Sequence, residues 1–293
     1  MSSRLLFSFL GAGALALFAC KPASNTSPQG LRPIPGDDDA GPIASSAVRF
    51  TRRVPGAGLK AHRNRDLQLQ LAMGTEVMRH TEHEALRYEV KESNESRIAK
   101  AGLDIQDLYD ADQQGEEPEE KKINPLSGSS FLVTDKADGH LSAVDAAGKP
   151  VSEEQLSLLG ENYGELFETD QIAASLPKDA VSIGGQFTPS RAALVQMLRI
   201  TDDDDTTLEG VELILRRVED NEAHFDVRMT MTWKMAGDYR LRARLSGTLS
   251  LQTATGWLTT LGLAGPVLVL DPKGDEMGKG TFSTRAQVSF EAT

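Results

Sequence analysis

From Phe225 to Leu251 apolar side chains fall on every second residue. Phe225, Val227, Met229, Met231, Trp233 and Met235 alternate with His224, Asp226, Arg228, Thr230, Thr232 and Lys234. Tyr239, Leu241, Ala243, Leu245, Gly247, Leu249 and Leu251 then alternate with Arg240, Arg242, Arg244, Ser246, Thr248 and Ser250. Successive side chains of a strand point to opposite faces, so a period of two marks a strand with one face in a core and the other in water. A helix, turning about 100° per residue, would scatter the same apolar groups around its axis. Gly237-Asp238 between the runs has the chemistry of a hairpin turn. The pattern therefore predicts an antiparallel hairpin that needs further strands or helices to cover its apolar face.

Those further strands are visible on both sides. Val211, Leu213, Leu215 and Val218 precede a second turn signal, Asp220-Asn221. Gly256-Trp257-Leu258, the run Val267 to Leu270, and an alternation of Phe282, Thr284, Ala286, Val288 and Phe290 follow. The first half reads as a looser version of the same plan. Leu67, Leu69, Leu71 and Met73 alternate, as do Leu86, Tyr88 and Val90, and Phe131-Leu132-Val133 faces Leu141 to Val144 across Asp138-Gly139. Asp110 to Lys122 is almost wholly polar and predicts a mobile loop. Two helices are expected in the middle, over 153–167 and over 189–198, the second with Thr188 as N-cap and Pro189 in its first turn. The expected fold class is mainly β (α+β): an antiparallel meander forming a curved, partly open barrel from two related halves, 48–174 and 175–293, with short helices between them.

The amino terminus has another character. Arg4 precedes an apolar run from Leu5 to Ala19 with small residues near its end, the layout of an export signal over residues 1–19. The run is shorter than the roughly 20 residues of a membrane-spanning helix and gives way at once to polar sequence. Leu17-Phe18-Ala19-Cys20 resembles the bacterial lipobox, and Cys20 is the single cysteine of the chain. One lipidated cysteine would account for the whole inventory and leaves no intramolecular disulfide to form. Cys20 is thus expected to carry the acyl groups that attach the protein to a membrane. Residues 20–47 hold Pro22, Pro28, Pro33, Pro35 and Pro42 with Asp37-Asp38-Asp39, and read as a tether. Lys21 after the anchor favours an outer-membrane or cell-surface location.

The net charge is −12, and becomes −13 without the signal, which carries one Arg and no acid. An acidic chain lacks the basic footprint that phosphate backbones require, so no nucleic-acid partner is expected. His80-Thr81-Glu82-His83-Glu84 is the nearest approach to a metal motif, but on a strand residues 80 and 83 face opposite ways and cannot share an ion, which leaves surface histidines. Asp202 to Asp205 before Gly210 places Arg216 where a calcium loop needs a bidentate Glu. Ser175-Leu176-Pro177-Lys178 has acyl-enzyme spacing, yet Pro177 breaks the helix that such chemistry uses. No GxSxG, Walker or HExxH run occurs, so no catalytic residue, metal or cofactor is expected and the reading is a non-enzyme. The remaining candidate is the apolar stripe itself. Met229, Met231, Trp233, Met235, Tyr239, Leu241 and Leu245 are expected to form either a packed core or the wall of a ligand cavity, methionine being adaptable to varied apolar ligands.

The stretch Leu176-Pro177-Lys178-Asp179-Ala180-Val181-Ser182-Ile183-Gly184-Gly185-Gln186-Phe187 resembles the start of the second half in a group of uncharacterised bacterial lipoproteins with a duplicated β-rich domain. Phe187 stands where those chains commonly have Trp, and Leu245 to Leu249 and Thr255-Gly256-Trp257 resemble their sheet and turn. That group is distantly similar to the curved, unclosed barrels of Lol-type lipoprotein carriers. The resemblance implies an envelope lipoprotein whose sheet binds a lipid, an acyl chain or an apolar segment of an envelope protein. The alternative is a structural or interaction lipoprotein with a filled core.

Overall fold

The structure is a computed structural model, and it describes residues 47–136, 140–200, 205–235 and 238–291. Cys20, the tether, the turn at Asp138-Gly139, Gly237, and Asp202 to Asp204 lie outside the described residues. Among the described residues there are fourteen strands: β1 (Ala47–Val48), β2 (Lys60–Met73), β3 (Glu76–Ser93), β4 (Ile98–Gln114), β5 (Glu120–Ile123), β6 (Ser129–Asp135), β7 (Leu141–Asp145), β8 (Val181–Ser182), β9 (Gln186–Phe187), β10 (Thr206–Glu219), β11 (Glu222–Lys234), β12 (Arg240–Gln252), β13 (Leu258–Leu270) and β14 (Glu276–Glu291). The helices are α1 (Glu153–Tyr163), which continues as a 3-10 turn (Gly164–Phe167), α2 (Gln171–Ser175) and α3 (Arg191–Leu198).

Among the described residues twelve strands form one antiparallel sheet in the order β7-β6-β4-β3-β2-β14-β13-β12-β11-β10-β9, with β5 beside β4. The chain starts at the centre with β2, walks out to β7, crosses through the helices to the other edge, and walks back to β14, which pairs with β2 along its length. The sheet is curved and open, since β7 and β9 do not pair with each other.

A line of glycines on the inner face accounts for part of the bend. A Cβ on Gly247 would sit 1.8 Å from the Gly262 carbonyl oxygen, one on Gly265 1.8 Å from that of Arg244, and one on Gly280 1.8 Å from that of Gln70. Gly247 pairs with Leu263 and Gly265 with Phe282, so the three run diagonally across β12, β13 and β14. Only glycine lets neighbouring backbone approach this closely, and such kinks are how sheets curl. Local turns follow their sequence signals: Asp220 and Asn221 both have positive φ (49° and 65°), as a tight primed turn requires. A bulge between Leu215 and Arg217 restores Val218 to the inner face after the period of two has been broken.

Two apolar cores lie on the concave side. In the first, β10 to β14 and Leu67, Leu69 and Leu71 of β2 are covered by Leu194, Met197 and Leu198 of α3. In the second, β3, β4, β6 and β7 are covered by Leu159, Tyr163 and Phe167 from α1 and its 3-10 turn. The Ser152 side chain accepts from the Gln155 amide while Gln155 reaches back, a capping box that starts α1. The expected Thr188 cap is corrected: Ser190 caps α3 by accepting from the Ala193 amide, and the Thr188 hydroxyl donates to the Val211 carbonyl.

The polar stretch from Asp110 to Lys122 is likewise corrected. β4 runs on to Gln114, and β5 pairs with it through Asp110↔Lys122 and Asp112↔Glu120. Strand pairing prevails over polar composition in part because Asp112 meets cations across the strands: His80 Nδ1 lies 2.7 Å from Asp112 Oδ1 and Lys122 Nζ 3.3 Å from Asp112 Oδ2.

Candidate functional site: a cavity between two cores

Continuing the inward phase of β2 from Leu71, Leu69 and Leu67 toward its amino terminus leads to Arg65 and Arg63 before Ala61. On β3, continuing back from Val90, Tyr88 and Leu86 leads to Glu84, Glu82 and His80, all three buried. Adjacent strands thus change from apolar to charged on the same face, and Arg65 sits opposite Glu84 in the register. A belt of charge crosses the concave face between the two cores.

Its centre is a closed ring of ion pairs. Arg63 Nε donates to Glu84 Oε1 at 2.7 Å and its Nη1 to Glu165 Oε1 at 3.1 Å. Arg199 Nη1 donates to Glu84 Oε2 at 2.5 Å, its Nε lies 3.2 Å from Glu165 Oε1, and its Nη2 donates to the Asn162 carbonyl. Arg199 ends α3 in the left-handed region, φ 53°, which is uncommon for a side chain of this size. Its guanidinium thereby joins the end of α3 to the sheet and to the 3-10 turn. Burial alone would raise the Glu84 carboxyl, but Arg63 and Arg199 outweigh it and hold the group at about 2. Arg63 also lies over the Tyr163 ring, 5.8 Å from its centroid. Burial pushes the Tyr163 phenol well above its ordinary value.

At the other end of the belt, His80 Nε2 lies 3.2 Å from Glu82 Oε1 while Nδ1 faces Asp112. Burial opposes the imidazolium, yet the hydrogen bonds to Glu82 and Asp112 prevail and raise His80 to about 9. Burial, reinforced by Glu82, raises Asp110. His83 projects from the opposite face of β3, 2.7 Å from Asp66. The two histidines therefore do diverge, but the expectation of two surface histidines is corrected: His80 is interior because its strand continues.

Beside the ring lies a cavity of about 490 Å³. Leu258, Leu261, Ala286, Val288 and Phe290 line it from the sheet, and Leu166, Ile172 and Met197 from the helical layer. Trp257 stands at one end, its Nε1 donating to the Arg53 carbonyl at 2.6 Å and its ring 5.1 Å from that of Phe290. Arg63, Arg65 and Arg199 line the side toward the belt. The space exists because Ala286 and Thr284 are small where the central strands pass from one core to the other. A small cavity of about 60 Å³ is lined by Arg65, Glu82, Glu84, Asp110 and Arg199.

The apolar stripe expected to form either a packed core or the wall of a ligand cavity lies elsewhere. Met229, Met231, Trp233, Leu241 and Leu245 are buried in the first core, Met235 packs against it, and Tyr239 is half-buried. Trp233 meets Phe282 edge to face at 6.1 Å. None of the seven is among the residues that line the cavity. The strands carrying them are covered by α3, whereas the opening lies where the covering passes from α3 to the 3-10 turn. Arg63 and Arg65 lie on the inward phase of β2 but precede the apolar alternation from Leu67 to Met73 that marks the strand in the sequence. The available signal was the unbroken period of two through Leu67, Arg65, Arg63 and Ala61.

No family model and no curated protein matches the chain. Among solved structures it is loosely similar to lipovitellin, in a structure described as showing lipid-protein interactions, with a TM-score of 0.37 and 9% identity. That alignment covers 80% of this chain and 25% of the other, so the chain spans about a quarter of lipovitellin's length. It is also similar to DynF from the dynemicin biosynthesis pathway of Micromonospora chersina, with a TM-score of 0.22 and 11% identity over 88% of this chain and 92% of that one. Both likenesses are too loose to place the chain in a fold family.

Proposed function

We propose that this chain is a lipid-anchored envelope protein, tethered through Cys20 to the outer membrane or cell surface, whose folded part binds a hydrophobic ligand without transforming it. The observation that carries the reading is the cavity of about 490 Å³ between the two cores, walled by apolar side chains of β13, β14 and the helical layer. Binding sites for small molecules are typically concave, largely apolar spaces of ~300–1,000 Å³ with a few placed polar groups. Its acids suit binding more than proton transfer: Glu84, held at about 2, stays ionised at neutral pH. The lipobox-like run before Cys20 supports the anchor, and the resemblance to uncharacterised, distantly Lol-type lipoproteins agrees with it. A filled-core interaction protein remains the rival, favoured by the packed stripe around Met231 and Trp233.

The full chain carrying Cys20→Ser, which removes the acylation site, separates the two by native mass spectrometry and displacement of an acyl-chain fluorophore. Bound lipid or saturable uptake supports the reading, and neither occurring sinks it. Ala286→Trp, which places a large ring in the cavity, is expected to weaken uptake at least tenfold. Met231→Ala is expected to cost about 2–5 kcal/mol of stability through a core void while leaving uptake unchanged. The reverse pattern would return the site to the stripe. Labelling with radioactive palmitate in cells is expected for the wild type and lost in Cys20→Ser.

A further inference from the structure

Resting on the cavity as a ligand site, we propose that it selects an anionic amphiphile, one acyl chain ending in a carboxylate or phosphate, with the chain along β13 and β14 and the head group on Arg65 and Arg63.

Arg63 and Arg65 both line the cavity, two residues apart on the same face of β2. They differ in how their charge is met. Arg63 gives Nε and Nη1 to Glu84 and Glu165, but its Nη2 is buried without a hydrogen-bond partner among the described residues. Arg65 donates from Nη2 to the Leu198 carbonyl at 3.2 Å, and among the described residues no carboxylate is hydrogen-bonded to it. Burial, and then the neighbouring Arg199, lower Arg65 from its ordinary value, the sign of a cation whose charge is incompletely offset. Arg65 lies beside, not within, the ring that Arg63 and Arg199 close with Glu84 and Glu165, and Glu82 and Glu84 offset its charge only through space and incompletely.

Buried donors without acceptors are unfavourable, and buried cations without anions more so. An oxyanion entering from the cavity would accept from Arg63 Nη2 and Arg65 together, in charge-assisted bonds of the strong kind. The cavity lining carries six arginines against four acids, Glu95, Glu165, Glu168 and Asp170, and in a chain of net charge −12 that local basic excess is chemistry suited to an anion. The other wall defines the remainder of the ligand: Leu261, Ala286, Val288 and Phe290 present no charge, which suits a methylene chain. A volume of about 490 Å³ suits one chain better than two.

The test uses the full chain with Cys20→Ser and four probes: hexadecanoate, hexadecyl phosphate, hexadecanol and a two-chain phosphatidate. Hexadecanoate or hexadecyl phosphate is expected to bind at least tenfold more tightly than hexadecanol, and the better of the two identifies the head group. Arg65→Met is expected to remove that difference, and Arg65→Lys to keep part of it. An unchanged far-ultraviolet circular dichroism spectrum and urea midpoint show that the variant is folded. Hexadecanol matching both anions in the wild type overturns the head-group assignment and leaves the cavity reading intact. Phosphatidate binding more tightly than hexadecyl phosphate overturns the single-chain assignment. Binding of none of the four overturns this proposal and the cavity reading together.

Discussion

Glu84 accepts from two arginines in the interior, Arg63 at 2.7 Å and Arg199 at 2.5 Å, and its neutral replacement would leave both cations short of an anion. Removing one partner of a buried ion pair typically costs about 3–5 kcal/mol, because the remaining charge stays desolvated. Glu84→Gln is therefore expected to lower the urea midpoint by a corresponding amount. Its pH dependence has a definite sign. The folded carboxyl sits at about 2 against an ordinary 4.5, so the stability that it contributes is complete above about 4.5 and is lost as pH falls toward 2. His80 acts in the opposite sense. Its folded value of about 9 lies above the ordinary 6.5, so its contribution is complete below about 6.5 and disappears as pH rises through 9. Urea midpoints measured from pH 3 to 10 are expected to fall at both ends, with Glu84→Gln flattening the acid limb and His80→Asn the alkaline one. An alkaline limb unchanged in His80→Asn would show that this histidine is not held as an imidazolium.

At the scale of elements, β12, β13 and β14 combine alternating apolar residues with a glycine where each crosses the crease. The apolar residues bind the strands to the core, and the glycines let them bend around it. Gly247→Ala places a methyl group 1.8 Å from a backbone oxygen of the next strand, which a side-chain rotation cannot relieve. A loss of roughly 1–3 kcal/mol or more is expected, as for overpacked interiors, read as a fall in melting temperature. Gly262→Ala, on the adjoining strand, where the nearest atom to the new methyl group is the Thr248 side-chain Oγ1 at 4.0 Å, is the control and is expected to be nearly silent. Equal effects of the two would remove the crease as an explanation of the curvature.

Across the whole molecule, the two central strands hold both cores together. β2 gives Ala61 to one and Leu67, Leu69 and Leu71 to the other, while β14 gives Phe282 to the first and packs Val288 and Phe290 against the second. Neither half can lose its core without stripping a strand from its neighbour. Unfolding in urea is therefore expected as a single transition, coincident by far-ultraviolet circular dichroism and by the fluorescence of Trp233 in the first core and Trp257 beside the cavity. Two separated transitions would show that the halves are independent. The junction where the cores meet is also where the cavity opens, since packing of each core onto its own helix leaves the seam to be filled by arginines, small residues and open space.

Much of this fold was legible because strand alternation is a local property. The period of two through Phe225 to Leu251 is enough to place those residues inward, and the Asp220-Asn221 turn follows from two adjacent residues. The charged half of the same pattern, Arg63 and Arg65 on β2 with His80, Glu82 and Glu84 on β3, is equally periodic. Its meaning was hidden, because a charge on an inward position reads as a strand ending unless its partner is known. By itself the sequence determined the strand class, the phase of each side chain and the residues available to a core. Only the tertiary structure decided that Met231 and Trp233 would be packed under α3, and that the open space would lie beside Arg63 and Arg65. The physical reason is range: alternation is set between neighbours, whereas the ring joins Arg63 to Glu165 and Glu84 to Arg199 across 102 and 115 residues, separations that only the curvature and register of the folded sheet bring to contact.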